Sequence, residues 1–288
     1  MKGMSKDLEK IINLIRLHND EKFFYQNSIQ LFRAFNQLEQ VKIFHASIKG
    51  KTVGCVYGMD YMYNNGWIGA LLVHKKYRKM GIGKYLVRKT LEFLNGKNIF
   101  LCVLSENLAA KKLFENFGFK AIYRRYNLEF DYQLKEIKSN KNDVTNKVNW
   151  NELRNTISFK KRDGIVNMGF YPIKLNNRIF EDLKKNEKII KYGKILAVVE
   201  KSYYVQLDGE KFILNEYLLE KLSLSKSKEI IYEINPFFID PSLEDLVGLI
   251  NLYLSKGKVK IWTYENDSLT KGLPLGSLGA MLMNKKQQ

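Results

Sequence analysis

The sequence holds only two cysteines, four prolines and three histidines in 288 residues. Cys55 and Cys102 lie singly inside apolar runs, with no CxxC spacing and no histidine companion, which excludes a disulfide framework and a Cys/His zinc site. The scarcity of proline excludes Pro-rich linkers. Apolar runs such as residues 195–199 fall far short of the roughly 20 residues that span a bilayer, and the N-terminus has no uncharged signal core. These absences point to an unsecreted protein in a reducing cytoplasm.

What is present can build a core: 45% of residues are hydrophobic and 13% aromatic, and the length suits two domains. A net charge of +18, from 48 Lys+Arg against 30 Asp+Glu, raises the question of a polyanionic partner. The excess is spread along the chain, no block of five like charges occurs, and interleaved Tyr and Lys carry no RNA-binding motif. A lysine-rich solvated surface explains it without nucleic acid.

Helical spacing marks Leu8, Ile11, Ile12 and Ile15, and again Leu31, Phe32, Phe35 and Leu38. Two apolar, β-branched runs, 41–48 and 52–61, flank Lys49-Gly50-Lys51 and read as a hairpin. Asn64-Asn65-Gly66 turns the chain into residues 67–74, an almost uncharged central strand. A helix through Val87, Leu91 and Leu94 stops at Asn95-Gly96. A buried strand, 98–104, leads to Ser105-Glu106-Asn107, which opens a helix through Ala110, Leu113 and Phe114 that Gly118 ends. A long strand, 119–132, closes a mixed α/β sheet over residues 1–133.

Residues 134–149 turn polar and read as a linker, and 150–288 form a second α/β domain. Its strands are expected at 195–199, 203–207, 211–214, 230–234 and 259–264, with Asp208-Gly209 as a hairpin turn and Asp240-Pro241-Ser242 capping a helix through Leu243, Leu246, Val247 and Ile250. The glycines within 273–279 read as a loop.

The chemically informative stretch is Val73-His74-Lys75-Lys76-Tyr77-Arg78-Lys79-Met80-Gly81-Ile82-Gly83-Lys84. Two glycines at a strand-to-helix turn allow close backbone approach, the helix start supplies free N–H groups and a positive dipole end, and Arg78, Lys79 and Lys84 add charge. That is an anion site. No third glycine and no Lys-Ser/Thr pair follows, which argues against a dinucleotide fingerprint or a Walker loop.

Arg78-x-x-Gly81-x-Gly83 after Val73-x-x-x-Tyr77 resembles the acyl-coenzyme A pyrophosphate loop of the GNAT N-acetyltransferases. Asn107-x-x-Ala110-x-x-Leu113-Phe114-x-x-x-Gly118-Phe119 is similar to a second segment of that family at the expected distance. The resemblance covers about residues 40–132. It implies a GNAT-type, mainly antiparallel sheet flanked by helices, with acetyl-CoA as acyl donor and an amine as acceptor. Leu71 and Val73 would meet pantetheine and the acyl carbonyl through backbone groups where the central strand splays. Lys79, Gly81, Ile82, Gly83 and Lys84 would line the pyrophosphate. Asn107 would reach the pantetheine arm or act as a plain helix cap, and Phe114 would lie beside the sulfur.

The chain also departs from that family. Many relatives place a tyrosine acid where Phe114 stands, and carboxylate bases where Cys102, Gly69 or Ala70 stand. Three explanations are open: positioning alone drives transfer, a displaced phenol such as Tyr126 or Tyr123 serves as acid, or the domain binds coenzyme as a regulatory module without catalysis. The second domain has no Gly-x-Gly loop of its own, which suits a degenerate GNAT-like copy in a tandem arrangement or an unrelated α/β accessory domain. His18 and His45 have no spaced partners and His74 sits where a strand ends, so each reads as surface or packing.

Overall fold

A computed structural model describes residues 6–18, 28–130, 144–207, 210–238, 243–264 and 280–286. The chain forms two compact units: Met1–Ala121 with Gln206–Glu210 and Leu282–Gln288, and Ile122–Val205 with Lys211–Met281.

The first unit opens with α1 (Lys6–Arg16), whose Leu8, Ile11, Ile12 and Ile15 are all buried, and α2 (Ser28–Phe35), which buries Phe32 and Phe35. The apolar stripe of each helix is what the core accepts. Strands β1 (Val41–Ile48) and β2 (Lys51–Tyr61) form an antiparallel hairpin through Lys49 and Gly50, both at positive φ. β3 (Asn65–Val73) runs antiparallel to β2. A crossover through α3 (Ile82–Phe93) returns the chain as β4 (Asn98–Leu104), parallel to β3, and α4 (Leu108–Glu115) follows. Neighbouring residues of β2 separate the helices: Tyr57 meets Phe32 and Phe35 of α2, while Gly58 faces Thr90 and Phe93 of α3. Because successive residues of a strand point to opposite faces, α2 and α3 cover the sheet from opposite sides.

The second unit carries β5 (Lys120–Phe130) from its residue 122 onward, then β6 (Val144–Thr145), α5 (Trp150–Asn155), α6 (Ile157–Lys161), the hairpin β7 (Ile165–Met168) and β8 (Tyr171–Lys174), and α7 (Asn177–Lys185). There follow β9 (Ile189–Tyr192), β10 (Ile195–Leu207), β11 (Glu210–Asn215), α8 (Glu216–Lys221), β12 (Ile230–Phe238), α9 (Leu243–Leu254) and β13 (Lys258–Tyr264). Its sheet runs β5-β13-β12-β10-β9-β6. The pairings β9/β10 antiparallel, β10/β12 antiparallel and β12/β13 parallel across α9 repeat those of β1/β2, β2/β3 and β3/β4 across α3. Leu246, Leu249 and Ile250 of α9 pack on Ile195, Ala197, Ile234 and Ile261. On another part of this unit, buried Arg125 donates to the Asn167 side chain at 2.9 Å and to the Phe170 carbonyl at 2.8 Å. The last strand, β14 (Ala280–Lys286), lies next to β4 in the sheet order.

Several expectations need revision in the second half. Residues 195–199 and 203–207 are one strand, because the polar Glu200-Lys201-Ser202 between them continues it: Glu200 is buried and ion-paired with Lys188 at 2.8 Å. The elements α5 to α8, the β7–β8 hairpin and the strand after 279 are additional to the expected ones, although Asn176 ahead of Ile179, Phe180 and Leu183 at helical spacing does mark α7. Val144–Thr145, inside the polar stretch, pairs with Lys191 and Tyr192. Asp208-Gly209, Asp240-Pro241-Ser242 and 273–279 lie outside the described residues.

Candidate functional site

The centre of the first unit is the second half of β3. Its register with β2 shifts between Cys55/Tyr57, so that Ala70 and Leu71 together oppose Val56. Ala70 takes a positive φ of 51°, which marks a bulge in which a non-glycine residue is held left-handed at a cost of about 1–2 kcal/mol. The parallel ladder with β4 covers Asn65, Gly66 and Trp67 and ends at the Trp67/Phe100 pair, although both strands continue beyond it. Exposure follows: residues 65–68 are buried and 69–71 are partly open. Leu71 and Val73 therefore sit beyond the point where the β3/β4 ladder ends.

The loop after β3 is tightly made. One 3-10 turn (Lys75–Tyr77) is capped by His74, whose Nδ1 accepts from the Lys76 N–H at 3.2 Å. Arg78 Nε donates to the Val73 carbonyl at 3.0 Å and ties the loop to the strand end. Lys79 and Gly81 both have positive φ, 62° and 81°, and such alternations gather backbone N–H groups into an anion-binding concavity. Gly81 is the N-cap of α3 and, having no side chain, supplies no capping bond; the first turn holds no acidic residue either. The first helical bond runs from the Tyr85 N–H to the Gly81 carbonyl, so the N–H groups of Ile82, Gly83 and Lys84 end at the helix mouth with no side-chain acceptor. Arg78, Lys79 and Lys84 are exposed around them.

The two motifs meet in space. A Cβ on Gly83 would stand 3.3 Å from Leu113 Cδ2, so the glycine lets α3 and α4 approach. Asn107 is the N-cap of α4, its Oδ1 accepting from the Ala110 N–H at 3.1 Å; the helix-cap role is the one observed, and the amide Nδ2 is the group it could offer a ligand. Phe114 is 5% exposed and packs edge-to-face on Phe119 at 5.6 Å, a lining group with no proton to give. Tyr126 lies on β5 in the second unit, opposite Thr263.

Cys55 is fully buried, and desolvation pushes its thiol up to about 12, which removes it as a nucleophile. His18 and His74, read separately in the sequence, stack edge-to-face at 5.0 Å, with His18 Nδ1 2.9 Å from the Leu14 carbonyl. Burial, then the nearby His18, Lys51, Lys76 and Arg78, holds His74 below the ordinary imidazole range. Among the described residues no cluster of His, Cys, Asp or Glu could hold a metal ion, and no helix is long and apolar enough to cross a membrane.

One group at the splay escaped sequence reasoning. The Tyr57 hydroxyl accepts from Trp67 Nε1 at 3.2 Å, and a Cβ on Gly69 would overlap the Tyr57 ring and oxygen. Nothing in the local sequence of β2 signals this, because the space is created by a glycine on the next strand.

Solved structures of known proteins resemble this chain. A protein from Thermoplasma acidophilum assigned as an acetyltransferase superposes with a TM-score of 0.50 at 14% identity, covering 99% of this chain and 91% of its own, which shows the shared fold. A Pyrococcus horikoshii protein with the same assignment gives 0.48 at 18% identity over 98% of this chain and 86% of its own. The ribosomal-protein-S18-alanine N-acetyltransferase of Escherichia coli gives 0.37 at 21% identity, covering 47% of this chain and 83% of its own. No curated protein matches the sequence. The profile of the acetyltransferase (GNAT) family matches residues 11–119, the span from α1 through the loop of Gly81 and the helix of Phe114. The chain thus carries, over residues 11–119, a domain of the acetyltransferase (GNAT) family, within a mixed, antiparallel-rich α/β fold.

Proposed function

We propose that the first unit is an acyl-coenzyme A-dependent N-acyltransferase that takes acetyl-CoA and transfers the acetyl group to an amine by direct attack on the thioester. The observation that carries this is the pairing of a splayed β3/β4 with an uncapped helix start at Gly81. The pyrophosphate would lie on the N–H groups of Ile82, Gly83 and Lys84, with Arg78, Lys79 and Lys84 screening its charge. The pantetheine arm would pass along Leu71 and Val73, with Asn107 Nδ2 at its side and Phe114 against the thioester end. A backbone N–H of the splayed strand would then face the carbonyl oxygen and stabilise the oxyanion.

The acceptor is an amine, whether small molecule, amino acid or protein. The setting proposed for this activity is the cytoplasm. The second unit is a tandem copy that has lost coenzyme binding: the stretch between β12 and α9, residues 239–242, contains no glycine and includes Asp240, which repels phosphate. Titration of acetyl-CoA into the full chain, followed by thiol release in a panel of amines, tests the proposal. A folded protein that binds no acetyl-CoA overturns it; one that binds but releases thiol with no amine is a coenzyme-binding module.

A further inference from the structure

Along the sequence the positive charge is spread out, but the fold of the first unit gathers it at one end. Residues 41–91 contain ten Lys or Arg and a single acidic residue, Asp60. Asp60 is ion-paired with Lys97 at 2.8 Å at the far end of β2, about 30 Å from Lys51 at about 3.3 Å per strand residue. This stretch therefore has no carboxylate left for its other end. There the β1–β2 hairpin carries Lys49 and Lys51 alongside the loop that follows β3: Gly54 pairs with Val73, and the His74 N–H donates to the Val53 carbonyl at 2.8 Å. The hairpin tip and the residues after His74 thus lie at the same end of the sheet. The charges converge on His74, which burial and then His18, Lys51, Lys76 and Arg78 hold below the ordinary imidazole range. Lys49, Lys51 and Lys76 are exposed, and among the described residues none of the three is paired with a carboxylate.

Acetyl-CoA does not account for these three lysines. Its pyrophosphate, in the reading above, takes the helix mouth at Gly81 and the charges of Arg78, Lys79 and Lys84. Crowded like charge destabilises a compact fold through self-repulsion, and a bound polyanion relieves it. We propose that Lys49, Lys51 and Lys76 form a docking surface for the phosphate backbone of a nucleic acid, beside the coenzyme loop. The inference rests on the coenzyme reading only in leaving Arg78, Lys79 and Lys84 to the pyrophosphate. The residue type favours nucleic acid over a protein partner. Lysine is depleted at protein–protein interfaces, whose centres are apolar and aromatic, whereas phosphates are readily met by lysines as point charges. Such contacts carry no sequence information, and the chain's net charge of +18 supplies the long-range attraction.

The test is fluorescence anisotropy of a labelled single-stranded RNA of about 12 nucleotides and mixed sequence, titrated with the full chain from about 50 to about 200 mM salt. The logarithm of the affinity should fall linearly with the logarithm of the salt concentration. In Lys49→Gln/Lys51→Gln/Lys76→Gln the slope should be shallower by about 2, at about 0.7 per phosphate contact, and binding at about 0.1 M salt should weaken about a hundredfold. Lys160→Gln/Lys161→Gln/Lys185→Gln removes the same charge from exposed positions of the second unit and should change the slope by less than about 0.5. Saturating acetyl-CoA should weaken RNA binding by no more than about threefold. No RNA binding at about 50 mM salt, an equal loss of slope in the two triple variants, full displacement of RNA by acetyl-CoA, or variant-sensitive binding of an acidic peptide or anionic vesicles in place of RNA overturns the docking surface and leaves the coenzyme reading standing. The expected RNA behaviour in a chain that takes up no acetyl-CoA overturns the coenzyme reading alone.

Discussion

Arg78 turns back on the strand that precedes it: its Nε donates to the Val73 carbonyl at 3.0 Å, closing the loop that carries Lys79 and Gly81. The guanidinium acts first as a brace for backbone geometry. Arg78→Lys keeps the charge but cannot make the same planar contact. It is expected to lower acetyl-CoA affinity about tenfold, equivalent to about 1.4 kcal/mol. Because the residue is exposed, the melting temperature should barely move. Calorimetry and thermal denaturation on the same preparation separate the two effects.

Gly83 and Leu113 give a second, paired test. Gly83→Val places branched carbon against Leu113 Cδ2, where even a Cβ stands at 3.3 Å. The variant should lose about 1–3 kcal/mol of stability through overpacking. Leu113→Ala in the same chain opens that space and should recover part of the stability. Coenzyme binding should remain impaired in the double variant, because the valine still blocks approach to the helix mouth. Full recovery of binding would mean that Gly83 serves packing alone.

The loop and its helix were legible in the sequence because their chemistry is local: Gly81, Gly83 and the basic residues sit within a few positions of one another, as does the Asn107 segment. The alternating strands of the first unit were equally plain. What was not legible depends on partners far along the chain. His18, just after α1, and His74, just after β3, meet only once α1 has packed on β2, and the place of Tyr57 depends on an absent side chain at Gly69. In the second unit, Glu200 looked like the end of a strand because an ionisable residue rarely occupies a core; Lys188, from the β9 side, is what allows it there.

Glu200 makes the second unit sensitive to pH. It is buried, and desolvation raises its carboxyl to about 7 against the attraction of Lys188, with Glu233 directly opposite on β12 adding repulsion. The folded value lies above the unfolded value of about 4.5, so the folded state holds the extra proton between the two. Stability is fully present below about pH 4.5 from this group and declines as pH rises to about 7, by about 3 kcal/mol at most for a shift of this size. Glu200→Gln should flatten that decline, so urea unfolding at pH 5 and pH 8 should differ less in the variant than in wild type.

His74 contributes with the opposite slope. Its folded value lies below the ordinary 6.5, so the neutral ring is favoured in the folded protein, and this contribution is present above about pH 6.5 and falls away on acidification. Protonation also removes the Nδ1 lone pair that accepts from the Lys76 N–H. His74→Asn, which can cap the same turn without titrating, should make acetyl-CoA affinity less dependent on pH between 5 and 7, as fluorescence or calorimetric titration would register.

The central claim, that the first unit alone presents an acyl-coenzyme A site, is tested most directly by calorimetric titration of acetyl-CoA into the full chain, wild type beside Gly81→Val. Gly81 sits at φ 81° as the cap of α3, a conformation a β-branched residue resists. The account predicts one acetyl-CoA per wild-type chain, displaced by free coenzyme A, and loss of binding in a variant that remains folded. Two equivalent sites per chain, or unchanged affinity in folded Gly81→Val, would contradict it.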